Sequence, residues 1–138
     1  MALTYHPKRG TVLMCDFVGF KTPEMVKKRP VVVVSGRLRR SQLVTVIPLS
    51  TTPPDPVEDH HHQMDPASLP GQFATKQTWA KCDMVVTVGF WRLNKVMVRD
   101  ANGNRVYLGH RVTDADFKAI LKGMLCAFDL KGLTSHIG

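Results

Sequence analysis

The sequence lacks long hydrophobic runs, paired cysteines and a surplus of acidic residues. No apolar run in its 138 residues approaches the roughly 20 that cross a bilayer, so no membrane-spanning segment is expected. The N-terminus shows no charged segment followed by an apolar stretch, so no signal peptide is predicted. Cys15, Cys82 and Cys126 lie far apart and form no CxxC pair, which argues against both a disulfide framework and a structural zinc site. We therefore predict buried thiols and a cytoplasmic protein. We also expect no metal and no cofactor.

Basic residues outnumber acidic ones, with 19 Lys and Arg against 11 Asp and Glu and a net charge of +8. Such a balance favours a polyanionic partner: nucleic acid, an anionic membrane or an acidic protein. The charge is uneven, with +7 in residues 1–50, −4 in residues 51–70 and +5 in residues 71–138. A polyanion is therefore expected to meet the first third of the chain and part of the last half. The length is that of a single domain, residues 1–138.

Short β-branched and apolar runs separated by turn residues predict a mainly β fold. The predicted strands cover residues 11–17, 30–35, 43–50, 57–63, 78–88, 96–98 and 106–108. Four successive valines, residues 31–34, suit a strand that is buried on both faces. The Asn102-Gly103 pair predicts a hairpin turn between the last two strands. We expect a small, strongly bent antiparallel sheet of five to seven strands.

The last predicted element is an amphipathic helix over about residues 114–129. Thr113 and Asp116 form a variant of the capping box, and Gly132 stands where a helix end is expected. Apolar residues then recur at helical spacing on one face: Phe117, Ile120, Leu121, Met124, Leu125 and Phe128. This stripe predicts a helix that closes one face of the sheet.

Two segments offer groups that suit a phosphate. Arg29 precedes Pro30 and follows Lys27 and Lys28, so its guanidinium projects from an extended segment in a positive field. The alternative is a solvated basic loop. The hydroxyls of Ser50, Thr51 and Thr52 at the end of a strand can bind a phosphate or cap a turn.

Other polar residues allow acid-base chemistry or metal binding. Lys81 and Asp83 share a face if they lie on one strand, and either transfer protons or form a surface pair. His60 and His62 would also share a strand face, which suits two metal ligands, an acid-base pair or an exposed polar strand. A complete zinc site would still need ligands from elsewhere.

One turn is strongly basic and three aromatic residues could stack on bases. The turn carries Arg37, Arg39 and Arg40, the plainest polyanion-binding feature of the chain. Phe20, Trp79 and Trp91 either offer stacking surfaces for unpaired bases or belong to the core.

Four segments, taken in order, resemble the PemK/MazF family of toxins. They are Gly-Thr-Val-Leu-Met-Cys-Asp-Phe at residues 10–17 with Glu24 following, Lys-Arg-Pro-Val-Val-Val-Val-Ser at 28–35, Val-Ile-Pro-Leu-Ser-Thr-Thr at 46–52, and Lys-Cys-Asp-Met-Val-Val-Thr-Val at 81–88. The match covers about residues 9–95, and the C-terminal helix completes the domain. The resemblance implies an SH3-like barrel over about residues 9–110, followed by the helix and assembled as a homodimer.

The resemblance also implies a function. Members of this family are toxins of type II toxin-antitoxin systems that cleave single-stranded RNA at specific sequences without a metal. Their partner is an antitoxin whose acidic, partly disordered tail occupies the RNA groove. The expected products are a 2′,3′-cyclic phosphate and a 5′-hydroxyl.

Family roles carry over residue by residue. Arg29 would stabilise the pentacoordinate phosphate, and Ser50 stands where the family has threonine, with Thr51 adjacent. Lys81 replaces an arginine beside Asp83, and the two would act as acid and base, with Glu24 as a second candidate base. Pro23 replaces a histidine that some members carry, so that role is lost. The residues expected to bind RNA are Lys27, Lys28, Arg37, Arg39, Arg40 and Phe20.

The chain departs from the compact family pattern in residues 52–73, an insert rich in proline, acid and histidine. Three hypotheses follow. The chain is an endoribonuclease toxin, a non-catalytic member of the same fold that binds nucleic acid or a protein such as a topoisomerase, or a plain RNA-binding module. The first requires Arg29 and Asp83 in one cleft, whereas the other two require only the charge.

Overall fold

The computed structural model describes residues 3–36 and 42–138. These residues form eight strands and one α-helix, with all strand pairs antiparallel. The strands are β1 (Val12–Cys15), β2 (Arg29–Val33), β3 (Leu43–Ser50), β4 (His61–Gln63), β5 (Trp79–Lys81), β6 (Val86–Gly89), β7 (Leu93–Arg99) and β8 (Arg105–Leu108), and the helix is α1 (Asp114–Ala127). Neighbouring strands follow the order β4-β5-β3-β2-β1-β7-β8, with β6 also paired to β3. The mainly β fold with a C-terminal helix is confirmed, although the strand count exceeds the predicted five to seven.

The valine run of β2 is buried on both faces, as predicted. Val31 and Val33 pack into one apolar cluster, and Val32 and Val34 pack into another. Strand alternation explains this division, because successive side chains point to opposite faces of a sheet. In α1, Ile120 is fully buried in the second cluster, and Phe117 and Met124 pack against it. The helix therefore covers that face, as its stripe predicts.

The predicted single strand over residues 78–88 is wrong, because a 3-10 turn at Cys82–Met84 divides it. Both halves pair with the same edge of β3: Ala80 lies opposite Leu49, and Val86 lies opposite Val46. Between these two pairs, the neighbouring segment has five residues (81–85) where β3 has two (47–48). The interruption falls beside Pro48, which has no amide hydrogen to complete a strand ladder.

The 52–73 insert is part of the fold. Its predicted strand over residues 57–63 is shorter than expected and comprises β4 alone, which extends the sheet beyond β5. Two 3-10 turns follow at Pro66–Ser68 and Gly71–Thr75. The carboxylate of Asp116 in α1 binds this segment by accepting the amide of Asp65 (2.9 Å) and the hydroxyl of Ser68 (2.5 Å).

Both ends of α1 differ in detail from the sequence pattern. Thr113 is the N-cap and its hydroxyl accepts the amide of Asp116 (3.1 Å), as expected. The Asp116 carboxylate faces the insert, and the Thr113 amide donates instead to Ser68 Oγ (2.9 Å). At the other end Asp129, and not Gly132, takes the left-handed conformation (φ 59°). The Leu130 amide donates a hydrogen bond to the Leu125 carbonyl (2.7 Å). This is a Schellman motif, which Asp tolerates less well than Gly.

The end of the helical stripe also differs from the prediction, because Phe128 is 55% exposed. The predicted hairpin between β7 and β8 is confirmed, with Asp100 Oδ1 accepting the amides of Asn102 and Asn104 (2.9 Å each). Within the described residues, no helix has the length and apolar character that crossing a membrane requires.

Candidate nucleic-acid interface

A groove of about 510 Å³ opens where the beginning of β2 meets the end of β3. We call it the basic groove, and its lining residues are Lys27, Lys28, Arg29, Pro30, Leu49, Ser50, Thr51, Thr52, Gln72, Phe73, Thr75, Lys76 and Thr78. The antiparallel register explains its two walls. Val31 pairs with Pro48, and continuing that register by two residues brings Arg29 beside Ser50. The structure thus brings together Arg29, Ser50 and Thr51, which were predicted from separate segments.

Arg29 is the first residue of β2 and lies half-buried at the groove. Its Nε is buried and has no hydrogen-bond partner among the described residues. Burial lowers the pKa of the guanidinium, which nevertheless stays charged because arginine titrates far above neutral pH. An anion in the groove would supply the charge and the acceptor that this side chain lacks.

The hydroxyl groups at the end of β3 are arranged for donation. Ser50 is 8% exposed, and its Oγ accepts the amide of Thr52 (3.1 Å). Because the oxygen accepts that bond, its own hydrogen remains available to a ligand. Thr51 is exposed beside it.

The groove has a strongly positive lining. Lys27, Lys28, Arg29 and Lys76 all line it, and none of its described lining residues is acidic. Like charges in a cleft raise the local concentration of an anionic ligand. Lys76, Gln72 and Phe73 come from the insert region and the residues after it, where the sequence pattern gave no signal for them.

A second pocket of about 360 Å³ continues the basic groove and shares Lys28, Gln72 and Phe73 with it. It also contains Asn94 of β7, whose Oδ1 is buried without a hydrogen-bond partner among the described residues. Tyr107 lines the same pocket and is 54% exposed. An unpaired acceptor beside an exposed aromatic ring suits an unstacked nucleobase.

The two carboxylates predicted as candidate bases do not line the basic groove. Glu24 and Asp83 line a separate pocket of about 290 Å³ together with Phe20. The loop between β1 and β2, which we call the first loop, connects the two regions. Its Glu24 lines this pocket, and its Lys27 and Lys28 line the basic groove. Asp83 and Arg29 therefore line different pockets of this chain.

Lys81 and Asp83 do not share one strand, so the prediction that they share a strand face is wrong. Lys81 is the last residue of β5, and Asp83 belongs to the 3-10 turn that follows. The predicted pairing of His60 with His62 also fails, because strand β4 begins only at His61. His62 Nε2 contacts Asp116 Oδ1 (2.8 Å), whereas His60 Nε2 lies 3.6 Å from Asp83 Oδ2.

Arg92 is a functional candidate that the sequence pattern missed. Its guanidinium donates to the carbonyls of Asp16 (3.0 Å) and Val18 (2.6 Å) and so holds the start of the first loop. It also stacks on Phe20 (4.8 Å) and on Trp91 (4.2 Å), whose ring is 62% exposed. The Trp-Arg dipeptide at 91–92 was the available signal. Trp79 is half-buried, and its buried Nε1 has no hydrogen-bond partner in the part of the chain that the structure describes.

The predicted basic turn with Arg37, Arg39 and Arg40 lies outside the described residues. Its contribution to the interface stays a prediction.

The chain is similar to known proteins over most of its length. It is 29% identical to YifN of Escherichia coli (strain K12) over 144 residues, covering 90% of this chain and 95% of that protein. A mycobacterial endoribonuclease, solved in complex with its cognate antitoxin, is 25% identical with a TM-score of 0.59, covering 91% of this chain and 97% of that one. MazF from Deinococcus radiodurans shares the fold at 12% identity and a TM-score of 0.62, covering 91% and 98%.

A family model also matches residues 8–123, which include the basic groove and most of α1. The four segments quoted from the sequence fall inside this range. The chain belongs to the family of PemK-like, MazF-like toxins of type II toxin-antitoxin systems.

Proposed function

We propose that this toxin is a metal-independent, sequence-specific endoribonuclease that acts on single-stranded RNA. The observation that carries the proposal is the basic groove, in which partly buried Arg29 lies beside the hydroxyls of Ser50 and Thr51. Over residues 3–36 and 42–138, the Nε of this arginine has no hydrogen-bond partner. Support also comes from the mycobacterial structural neighbour, which is itself an endoribonuclease.

The groove suits the charge that develops during RNA cleavage. The 2′-oxygen forms a bond to the adjacent phosphorus, and the bond from phosphorus to the 5′-oxygen breaks. Arg29 holds two non-bridging oxygens, and the hydroxyls of Ser50 and Thr51 donate to them. The products are a 2′,3′-cyclic phosphate and a 5′-hydroxyl, and DNA is inert because it has no 2′-hydroxyl.

The proton transfers involve groups outside the basic groove. A base, Asp83 or Glu24, accepts the 2′-hydroxyl proton, and Lys81 supplies a proton to the leaving 5′-oxygen. An RNA strand that follows the first loop passes from Lys27 and Lys28 towards Glu24 and Asp83. The first loop is therefore the proposed path between phosphate binding and proton transfer.

The partners follow from the same proposal. The acidic tail of the cognate antitoxin is expected to occupy the basic groove and exclude RNA, and the active form is expected to be a homodimer. For the first of these expectations, the neighbour solved with its cognate antitoxin supports an antitoxin partner. Light scattering on purified protein measures the second, and a mass of one protomer would contradict it.

The test is cleavage of single-stranded RNA by purified protein in EDTA, with the new 5′ ends mapped. We expect discrete cuts with 5′-hydroxyl ends, abolished by Arg29→Ala. Arg105→Ala is the matched control, because it removes the same charge from exposed strand β8 and should leave the cuts intact. Equal cutting by the two variants would contradict the role of Arg29.

Binding without cleavage is the second candidate, and the separation of Asp83 and Glu24 from Arg29 favours it. Intact RNA together with a gel shift that survives Asp83→Asn would establish binding alone. Cleavage that Asp83→Asn or Glu24→Gln abolishes, with the gel shift retained, would identify the base and exclude this alternative.

A further inference from the structure

We propose that His60, His61 and Asp83 form a binding site for a divalent transition-metal ion such as Zn²⁺. One ligand atom from each side chain lies within 4.8 Å of the other two. Two imidazoles and a carboxylate are a donor set that zinc and related ions accept in proteins. The sequence pattern paired His60 with His62 and not with His61 and Asp83. The proposed RNA cleavage uses Asp83 only as one of two candidate bases and gives the two histidines no role.

The backbone holds the three residues in place. His61 begins β4 and lies opposite Lys81 of β5, and Asp83 lies in the 3-10 turn that continues from β5. The Cys82 amide donates to the His60 carbonyl (3.1 Å), which joins the two segments at the cluster. The ligands therefore come from two elements that the sheet already aligns.

Half-buried His60 and exposed Asp83 leave room for an ion and its water. The side chains of His60 and Asp83 are 25% and 43% exposed, and their nearest atoms lie 3.6 Å apart. Ligand atoms bound to one tetrahedral ion at about 2.1 Å lie about 3.4 Å apart, so that pair is already close to the required spacing. A small side-chain rotation brings the third ligand in, and water completes the coordination.

A backbone hydrogen bond keeps the Nδ1 atom of His61 unprotonated, with its lone pair available to an acceptor role. Its Nδ1 accepts the amide of Glu58 (2.9 Å), a bond that requires this nitrogen to be unprotonated. The Glu58 residue is exposed, so its amide can turn to water if the ion takes that lone pair.

The charges around the cluster are mixed. Glu58 and Asp59 precede the histidines and attract a cation, whereas Lys81 lies opposite His61 and repels one. Asp59 forms an ion pair with Lys131, whose Nζ lies 2.7 Å from Asp59 Oδ2, so part of its charge is already neutralised. The cluster itself supplies one carboxylate, so the ion keeps a net positive charge there and affinity depends on the two imidazoles.

Zinc titration of the untagged chain, freed of metal with chelator, tests the site. We expect one Zn²⁺ per chain by calorimetry, with affinity at least about tenfold weaker in His60→Gln, His61→Gln and Asp83→Asn, because even indirect metal contacts are worth 10–100-fold. His136→Gln, at an exposed histidine in the C-terminal segment, is the matched control and should bind as the original chain does.

Two outcomes would overturn the proposal. One is no Zn²⁺ binding, and the other is equal affinity in the three ligand variants and the control, which would place the ion on other side chains. Circular dichroism verifies folding, and Asp83→Asn preserves the side-chain shape, so a folding failure of a histidine variant still leaves a decisive measurement. Because the titration contains no RNA, its result is separate from that of the cleavage assay.

Discussion

Gly123 of α1 packs directly against Cys82, the first residue of the turn between β5 and β6. A Cβ atom at Gly123 would lie 2.7 Å from Cys82 Sγ and 3.1 Å from its Cβ. Glycine is otherwise unfavourable within a helix, by about 1 kcal/mol relative to alanine. The close approach of helix and turn therefore explains why a glycine occupies the middle of α1.

We predict that Gly123→Ala destabilises the fold despite the gain in helix propensity. Forced overpacking costs about 1–3 kcal/mol, so the free energy of unfolding in urea should fall by about 1 kcal/mol. Gly132→Ala is the control, because nothing lies within 4 Å of a Cβ there, and it should change stability by less than about 0.5 kcal/mol. A stabilised Gly123→Ala variant would show that the helix can move away from Cys82.

The Asp116 carboxylate is predicted to hold the insert to the helix. It is 5% exposed and accepts bonds from His62, the Asp65 amide and Ser68. Asp116→Ala leaves these donors without their partner, and each buried unpaired group costs about 1–3 kcal/mol. We expect a loss of at least about 2 kcal/mol in the free energy of unfolding.

Asp114→Ala is the matched control for this prediction. It removes an exposed carboxylate from the same first turn of α1, so only the favourable interaction with the helix dipole is lost, about 0.3–1 kcal/mol. Equal losses in the two variants would mean that the bonds to the insert contribute nothing beyond helix electrostatics.

Local sequence patterns correctly predicted the elements that depend on interactions between residues close together in the chain. The valine run, the Asn102-Gly103 hairpin and the Thr113 cap each formed as predicted, because alternation, turn geometry and capping act over a few residues. The basic groove was also partly predictable. Arg29 begins β2 and Ser50 ends β3, so the antiparallel pairing of these two strands places the two residues together.

Features that depend on distant contacts were not predictable in this way. The break at Cys82 follows from how β5 and β6 share the edge of β3, and the local pattern of residues 78–88 reads as one strand. Phe73 and Lys76 reach the basic groove only because the insert folds back over the sheet. The sequence did not identify Asn94 as a candidate binding residue, because that role depends on the pocket that surrounds its side chain.

The buried Cys82 thiol should make the fold sensitive to alkali. Burial, with the nearby Asp83, raises its pKa to about 12, whereas an unfolded thiol titrates near about 8.5. Above that lower pKa the unfolded chain loses the proton and the folded chain keeps it, so stability falls by about 1.4 kcal/mol per pH unit. No such loss occurs below it, where both states are protonated.

Urea unfolding at pH 8 and pH 10 measures this effect. Cys82→Ala should reduce the fall in unfolding free energy between these two values by about 2 kcal/mol. Val96→Ala, a buried truncation in the same apolar cluster, controls for the cavity. Its unfolding free energy should fall between pH 8 and pH 10 by as much as that of the original chain. An unchanged fall in Cys82→Ala would mean that the folded thiol also ionises in this range.

Asn94 is predicted to read a nucleobase next to the cleaved phosphate, a prediction that rests on the proposed endoribonuclease activity. Its buried Oδ1 is an acceptor suited to the exocyclic amine of adenine or cytosine. Asn94→Leu should keep Arg29-dependent cleavage but weaken the preference for one base by about tenfold, the value of one buried hydrogen bond to a correct partner. Sequencing of the new 5′ ends from a randomised RNA measures this change. Met97→Ala, which alters the same pocket without a polar group, is the control, and an identical cut-site profile in Asn94→Leu would exclude the role.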